Sequence, residues 1–381
     1  MKCFCEHYKN YTIRTCEAPD IPKLMRFIGE HWAKGHILSV SRKLMDWQYY
    51  NRRWDRYNFL AGTDDKSGEI LGVISYIPTY MYDDNIADID KYIWLSVWKV
   101  RDDYAKTALG LQLLGAVLKL ENTKNAGTVG NNQAVEPLYR MMKFKTGILE
   151  HYYIANDSYQ RYSLLSANAD KRNHESSNGV RLRLLEGEDE LEVFFDEIKN
   201  PETDYPLKTA NYFINRYMKH PFYKYNLYGV ENNGANSANG NNGVNGANGD
   251  NCVNSVNNAN AVLLVCRTAQ AEGASAVRIV DMHGAVSGMA GAYRAFQALL
   301  RQSGAEYIDL YCHGLDGEQI TAAGFTRRTA ESGVVVPNYY EPYSASNTDI
   351  RYAYHTGVGR HYCIFKGDCD QDRPNRIDWD E

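Results

Sequence analysis

The sequence predicts an α/β (α+β) protein built of two similar units in tandem, each a mixed, strongly twisted sheet flanked by helices. Strand-like apolar runs alternate with amphipathic helical stretches along the chain. The order of these elements in the first part of the chain repeats after residue 179, which indicates a duplicated architecture. A length of 381 residues also suits two domains better than one.

The predicted units span residues 1–165 and 179–381, with a polar linker at 166–178. The second unit contains an insertion, residues 231–261, built almost wholly of Asn, Gly, Ala, Ser and Val. Because this segment has no aromatic residue to bury, it cannot offset the entropy lost on ordering. We predict a disordered loop at the tip of a hairpin between two apolar strands.

Each unit begins with a strand, an acidic turn and a helix, and continues with a β-hairpin. In the first unit the hairpin is NFLAGTDDKSGEILGVISYIPTYM, and the central strand after it is YIWLSVWKV, which is rich in bulky β-formers. The polar turn RDDYAKT then leads to ALGLQLLGAVLKL, whose leucines fall largely on one helical face. The corresponding central strand and helix of the second unit are VRIVDMHG and AGAYRAFQALLRQ.

After the long helix of the first unit come a short strand, AGTVGNN, and a second helix, QAVEPLYRMMKF, which contains Tyr139. A turn that leads directly into a helix leaves the first N–H groups unpaired, so they can bind phosphate oxygens. This order of strand, turn, helix, strand and Tyr-bearing helix resembles the GNAT acetyltransferases. The resemblance implies acyl transfer with acetyl-CoA (coenzyme A) as the donor and without a metal.

The resemblance also implies a set of cofactor-binding positions on the central strand, the turn, the long helix and the second helix. They are Val97, Trp98, Val100, Ala105, Ala108, Leu109, Gly110, Leu111 and Asn132. The chain departs from the family's turn, because Ala105 replaces an Arg or Gln and Ala108 replaces a Gly. One pyrophosphate contact is therefore missing, whereas Gly110 matches.

Acyl transfer needs a base for the nucleophile, a donor for the oxyanion and an acid for the departing thiolate. The resemblance assigns the acid to Tyr139 and the oxyanion donor to a backbone N–H near Val97. The other interpretation is that Tyr139, one of 30 tyrosines, only covers a helix. In the second unit Ile320 occupies the position of Tyr139, and the turn MHGAVSGMAGAY has no basic residue. We therefore expect the second unit to bind the acyl acceptor and no cofactor.

His36 is a candidate catalytic base, because a histidine with an ordinary pKa near 6.5 can accept a proton from an amine or hydroxyl, although a lone histidine is more often structural. The aromatic and basic block at 211–225 suits a sugar or phosphate group, or is an ordinary amphipathic helix. The predicted acceptor-binding residues are Trp94, Arg216, His220, Asp370 and Arg373.

The C-terminal FKGDCDQDRPN alternates aspartates as in the opening of a calcium loop. Arg373 and Pro374 occupy the positions of the required Gly and the next ligands, so calcium is not expected. Together with VVPNYYEPYSASNTDI before it, this tail resembles tandem GNAT-like proteins associated with bacterial surface-polysaccharide gene clusters.

Composition excludes several classes of protein. A net charge of −5 gives no basic surface for nucleic acid, and the eight cysteines form no Cys-x-x-Cys pair for zinc. The N-terminus has no apolar secretion signal, and no run of about 18 apolar residues occurs, so we expect a cytoplasmic protein without a transmembrane segment.

The sequence thus predicts an acyltransferase that moves an acyl group, such as acetyl, from coenzyme A to an amino or hydroxyl group of a sugar precursor, free or nucleotide-linked, for surface polysaccharide. One alternative is a Fem-type aminoacyl transferase, which takes its acyl group from tRNA. The other is a non-catalytic binding protein in which both cofactor turns have decayed.

Overall fold

The computed structural model describes residues 3–166, 179–198, 201, 203, 205–232 and 261–375. Nearly all of the predicted linker and of the Asn-rich insertion lies outside these ranges, so the disorder expected for the insertion remains a prediction. Within the described residues, every helix is too short or too polar to cross a membrane.

The regular elements are numbered in chain order. The strands are β1 (Cys5–His7), β2 (Tyr11–Thr15), β3 (Tyr50–Asn51), β4 (Arg56–Tyr57), β5 (Phe59–Asp64), β6 (Ile70–Pro78), β7 (Ile93–Val100), β8 (Ala126–Val129), β9 (Lys145–Ile148), β10 (Glu150–Ala155), β11 (Val180–Leu185), β12 (Asn226–Asn232), β13 (Val262–Ala271), β14 (Ala274–His283), β15 (Tyr307–His313), β16 (Thr326–Arg327), β17 (Arg351–His355) and β18 (Ile364–Phe365). The α-helices are α1 (Ile21–Phe27), α2 (Ile37–Val40), α3 (Arg42–Tyr49), α4 (Leu109–Glu121), α5 (Glu136–Met141), α6 (Glu188–Glu197), α7 (Ala210–Phe213), α8 (Tyr293–Ser303) and α9 (Gly317–Ala322).

Two eight-stranded sheets form the body of the molecule. The first has the order β1-β2-β5-β6-β7-β8-β17-β9, and the second has the order β11-β12-β13-β14-β15-β10-β16, with β18 also paired to β15. Among the described strands, β7 runs parallel to β8 and β14 runs parallel to β15, whereas the neighbouring pairs are antiparallel. The predicted fold class, two mixed sheets flanked by helices, is confirmed.

The two units exchange a strand. β10 lies within the predicted first unit, yet it pairs with β15 of the second sheet, from Glu150 opposite Cys312 to Ala155 opposite Tyr307. β17 comes from the second half of the chain and inserts between β8 and β9 of the first sheet. Each predicted unit therefore contributes one strand to the other unit's sheet.

The long helix α4 packs closely on the first sheet. Leu109, Leu113 and Val117 of α4 are fully buried, and burying each such side chain contributes about 1.5–3 kcal/mol. Gly62 on β5 permits the close approach, because a Cβ there would lie 2.6 Å from a Leu109 methyl group. The helix ends at Asn122, whose left-handed conformation (φ 51°) is typical of a helix C-cap.

One hydrophobic core joins the two units. It includes Phe59 and Val73 from the first sheet together with Val265 and Val280 from the second. Many tyrosines are buried in this core with their hydroxyl groups hydrogen-bonded to each other or to carboxylates. The units are thereby held rigidly against each other, and the C-terminal part of the chain reaches the first sheet.

Candidate active site

The parallel strands β7 and β8 diverge, and the gap between them is the centre of the candidate site. They pair only at Ile93 and Trp94, the first two residues of β7. A bulge between β6 and β7 places Ser96 and Val97 opposite the single residue Ser75. The Val97 N–H consequently donates to Ser75 Oγ, at 2.8 Å, and not to a carbonyl of the sheet.

Residues 366–375, here called the tail segment, enter this gap after β18. Cys369 Sγ donates to the Leu95 carbonyl of β7 at 3.2 Å. Cys369 adopts a left-handed conformation (φ 59°), which costs an ordinary L-residue roughly 1–2 kcal/mol and redirects the chain toward β7. Ser96 Oγ then donates to Asp370 Oδ2 at 3.2 Å, so a carboxylate from the end of the chain lies at the bulge.

Ion pairs anchor the tail segment to the second unit. Asp368 pairs with Lys208 at 2.9 Å, and Asp372 pairs with Arg267 at 2.8 Å; all four side chains are buried or nearly so. The alternating aspartates, which resemble the opening of a calcium loop, therefore serve as partners for cations of this chain. The described residues contain no cluster of His, Cys, Asp and Glu side chains that could hold a metal ion.

A chain of hydrogen bonds leads from the bulge to His36. The Tyr49 hydroxyl lies 2.5 Å from Ser96 Oγ, which donates to Asp370. Arg373 Nη1 donates to the same carboxylate oxygen at 2.9 Å, and Arg373 Nη2 lies 2.8 Å from His36 Nε2. The structure thus brings together His36, predicted as the catalytic base, with Asp370 and Arg373, predicted to bind the acceptor.

The surroundings of His36 do not suit a catalytic base. Its Nδ1 accepts a hydrogen bond from the Leu38 N–H at 3.2 Å, and its Nε2 faces the guanidinium of Arg373. Burial and the Arg373 charge lower the pKa of His36 to about 4. A group this weakly basic takes up few protons at neutral pH. Asp370 lies at the bulge itself, so its position, and not a stronger basicity, makes it the candidate base.

Tyr139 lies on α5, on the other side of β8 from the helices of the acceptor region. Its ring packs edge-on against Trp98 at 5.8 Å, and its hydroxyl is hydrogen-bonded to Thr128 of β8. Burial raises the pKa of Tyr139 above its ordinary value, so the hydroxyl keeps its proton, as an acid must. Asn132 accepts from the Ala134 N–H at 2.9 Å and so caps the turn that leads into α5.

The turn before α4 offers free N–H groups, as predicted. α4 begins after Ala108 without a side-chain cap. No described residue accepts from the N–H groups of Gly110 and Leu111, which belong to the first helical turn. Ala105 and Ala108 are exposed, whereas the side chain of Leu109 is buried under the sheet and cannot contact a cofactor.

Two cations that the sequence analysis did not single out flank this turn. Arg101 binds Asp103 with two hydrogen bonds of 3.0 and 2.8 Å, and Lys99 binds Asp102 at 2.7 Å. All of these side chains are partly or largely exposed. Both cations belong to the segment that leads into the turn, and each is paired with an aspartate of that segment.

Arg216 has a different role from the one predicted. It is buried and donates to the carbonyls of Gly367 and Cys369, at 2.9 and 2.8 Å, and to the hydroxyl of Tyr82. With its guanidinium engaged in this way, Arg216 holds the tail segment in place and has no free face for an acceptor.

His220 and Trp94 also have surroundings other than those predicted. His220 Nδ1 accepts from the N–H groups of Phe222 and Tyr223, so the ring stabilises the turn that follows the block. Trp94 is 2% exposed within the core shared by the units, and its indole N–H has no partner among the described residues. Both side chains are therefore enclosed by other parts of the fold and help to stabilise it.

Several residues at the gap escaped the sequence analysis, namely Tyr49, Ser75, Ser96 and Cys369. Ser96 and Ser75 leave a trace in the pattern, as polar residues within the apolar strands IWLSVWKV and ILGVISYIP. The others become neighbours through the bulge and through the return of the chain to the first sheet.

The corresponding turn of the second unit is closed. The N–H groups of Gly288, Ala290, Gly291 and Ala292 donate to backbone carbonyls. Ile320, at the position of Tyr139, is fully buried on α9. As in the first unit, another part of the chain enters the gap between β14 and β15, here β18 and Gly367, whose N–H donates to the Val280 carbonyl.

A mixed sheet with a diverging parallel pair, a helix-opening turn and a following short helix is the arrangement of a GNAT-like fold. Among solved structures, a GCN5-related N-acetyltransferase from Anabaena variabilis ATCC 29413 is similar over 90% of this chain and 72% of that chain, with 9% identity and a TM-score of 0.51. At this level of identity the similarity establishes the fold alone.

Two further structures are similar at lower TM-scores. A GCN5-related N-acetyltransferase from Sphaerobacter thermophilus covers 92% of this chain and 96% of its own, with 11% identity and a TM-score of 0.43. The Saccharomyces cerevisiae N-myristoyltransferase with bound myristoyl-CoA covers 92% and 79%, with 7% identity and a TM-score of 0.47. No family model matches the chain. No curated protein matches it either.

Proposed function

We propose that the first unit transfers an acyl group, such as acetyl, from coenzyme A to an amino or hydroxyl group of a sugar precursor for surface polysaccharide. The main support is the position of Asp370, a carboxylate hydrogen-bonded at the bulge where β7 and β8 diverge. The sugar acceptor and its role in polysaccharide synthesis rest on the resemblance of the C-terminal sequence.

The residues at the turn fit the phosphates of coenzyme A. The N–H groups of Gly110 and Leu111 would bind the pyrophosphate. Lys99 and Arg101 would neutralise its charge by exchanging their aspartate partners for the phosphates. When bound, coenzyme A supplies the thioester that is the source of the acyl group. The proton transfers and the stabilisation of the oxyanion are carried out by side chains and N–H groups at the gap.

In this mechanism Asp370 accepts the proton of the attacking amine or hydroxyl. Ser96 and Arg373 fix the orientation of its carboxylate by hydrogen bonds of 3.2 and 2.9 Å. The Val97 N–H, which donates to Ser75 Oγ and not to a carbonyl of the sheet, would turn to the oxyanion as its donor. Tyr139 gives its proton to the leaving thiolate.

Calorimetric titration with coenzyme A tests the cofactor site. A Cβ at Gly110 would lie 3.5 Å from Val100 and 3.6 Å from Trp98, so Gly110→Leu forces a bulky side chain between the turn and the strand. We expect affinity to fall at least about tenfold, or about 1.4 kcal/mol. Gly115→Leu is the matched control, because a Cβ at Gly115 on the same helix meets nothing within 4 Å.

Equal affinities of the two variants would contradict the assignment of the turn. If wild-type protein bound no coenzyme A, the non-catalytic alternative would be favoured.

Asp370→Asn tests the base. The amide keeps the size of the side chain and can still accept from Ser96, so folding and coenzyme A affinity should persist. Release of free coenzyme A in the presence of amino sugars and nucleotide-linked amino sugars should slow about 10²-fold or more. Asp349→Asn, on an exposed carboxylate, is the control. Wild-type turnover of Asp370→Asn would exclude Asp370 as the base.

A further inference from the structure

A separate cavity of about 570 Å³ lies on the outer side of α3, where the two units meet. This volume is typical of sites for small molecules. Aromatic rings and guanidinium groups dominate its lining. The residues that matter here are Trp47, Tyr50, Arg52, Arg53, Tyr80 and Tyr82.

The rim of the cavity carries positive charge that is not neutralised by carboxylates of the described residues. Arg52 and Arg53 are exposed, and neither forms an ion pair with a described residue. The Arg53 guanidinium lies over the Tyr80 ring at 5.6 Å, which positions its N–H groups at the edge of the cavity. Phosphate groups bind well to two neighbouring arginines whose guanidinium N–H groups are not engaged by carboxylates.

The carboxylates of the lining only partly offset this charge. Asp46 is already bound by Arg42 at 2.6 Å and by the Tyr57 hydroxyl. Asp84 is exposed and has no cation partner among the described residues, so it is free to accept hydrogen bonds from ribose or sugar hydroxyl groups. Lys219, a further cation of the lining, is paired with Glu188 at 2.9 Å.

A single side chain connects the cavity wall to the gap between β7 and β8. Arg216 donates to the hydroxyl of Tyr82, and its guanidinium lies 5.7 Å from the centre of the Trp47 ring. The same guanidinium donates to the Cys369 carbonyl, one residue before Asp370. A ligand in the cavity would therefore contact Trp47 and Tyr82, and these contact the Arg216 side chain that holds the residue before the proposed base.

We propose that this cavity binds the nucleoside diphosphate part of the acyl acceptor. The planar base stacks on the aromatic wall formed by Trp47 and Tyr50, and the phosphates bind Arg52 and Arg53. This inference rests on the proposed function only in identifying the ligand with the acceptor. The binding site itself is defined by the aromatic wall and the unpaired guanidiniums.

Calorimetry with uridine diphosphate tests the inference on the full chain. The titration is also carried out with the Gly110→Leu variant, in which the turn before α4 is obstructed, so that binding in the cavity is distinguished from binding at that turn. We expect wild-type protein to bind uridine diphosphate and to bind uridine, which lacks the phosphates, at least tenfold more weakly. The double variant Arg52→Ala, Arg53→Ala should also lose at least tenfold in affinity.

The control is Arg161→Ala, since Arg161 is exposed and outside the lining of the cavity. Because Arg52 and Arg53 are exposed, the double variant should keep the wild-type melting temperature. Absence of binding, or equal affinity of the double variant and the control, would overturn the inference. In that case coenzyme A binding and the effect of Asp370→Asn would still decide the proposed function separately.

Discussion

At the scale of single residues, the proposed mechanism takes its acid and its base from different parts of the chain. Tyr139, on α5, is buried with its hydroxyl bonded to Thr128, and it stays protonated. Asp370 comes from the tail segment and accepts from Ser96 and Arg373. Separate surroundings let one group act as an acid while the other acts as a base.

Tyr139→Phe removes one oxygen and little volume. We expect the variant to lose the hydrogen bond to Thr128, worth about 1 kcal/mol of stability, and to slow turnover about 10²-fold. Affinity for coenzyme A should be unchanged. Release of free coenzyme A at saturating donor measures the effect, and Tyr339→Phe, on an exposed ring, is the control. Wild-type turnover would mean that Tyr139 only packs against Trp98.

Sequence reasoning found some of these residues and misjudged others for identifiable reasons. Tyr139 could be predicted because it belongs to a local run of elements. Arg216 was expected to face a ligand, but burial directs its guanidinium to carbonyls of the tail segment. Ser75 and Tyr49 could not be predicted, because a bulge and a distant helix bring them to Ser96.

At the scale of elements, the tail segment is held by charge. Its carboxylates Asp368 and Asp372 meet Lys208 and Arg267 in surroundings from which water is largely excluded. In such surroundings an unpaired charge is costly, so each pair fixes the position of the segment. The same contacts hold Asp370 at the bulge.

Asp372→Asn should therefore destabilise the protein strongly. It leaves the buried Arg267 guanidinium without its carboxylate partner, which typically costs about 3–5 kcal/mol. Asp157→Asn breaks an exposed pair with Arg301 and should cost less than about 1 kcal/mol. Urea unfolding measures both changes in the free energy of unfolding. Similar small losses for the two variants would show that the tail segment is not anchored by this pair.

Local patterns sufficed for most elements and failed for pairing over long distances. The strand, helix, strand and helix from β7 to α5 follow the sequence patterns closely, because each pattern is local. The sheet to which a strand belongs depends on partners more than a hundred residues away, as for β10 and β17. Their alternation is the same in either sheet, so the exchange leaves no signal in the sequence.

At the scale of the whole molecule, burial keeps a group of histidines neutral. The pKa is lowered to about 4 for His36, His151 and His313 and to about 3 for His220 and His283. Below the ordinary value of 6.5, the unfolded chain takes up protons at these positions and the folded chain does not. Stability should therefore fall as the pH decreases from about 6.5 to about 4.

Asp368 opposes this trend. Burial raises its pKa from 3.8 to about 6, so between these values the folded state holds a proton that the unfolded state has released. One such group is outnumbered by the five histidines. The midpoint of urea unfolding at pH 7.5, 6 and 5 measures the net effect, and His283→Gln should reduce the slope. A midpoint that is constant or rises toward pH 5 would contradict the prediction.

The exchange of β10 and β17 makes the two units depend on each other for folding. The fragment 1–165 lacks β17, so β8 and β9 lose the strand that lies between them. The fragment 179–381 lacks β10, so β15 loses its antiparallel partner. Unpaired strands and an exposed common core favour aggregation. We expect neither fragment to fold alone.

When the two fragments are produced in the same cell, they should assemble, because every strand then finds its partner and only the linker is missing. Co-purification through a tag on one fragment, followed by thermal unfolding, measures the assembly. Full-length protein cleaved within 166–178 after folding is the control and should keep its melting temperature. Cooperative unfolding of 1–165 alone near the full-length temperature would show that the first unit is independent, and that β17 is an addition to a complete sheet.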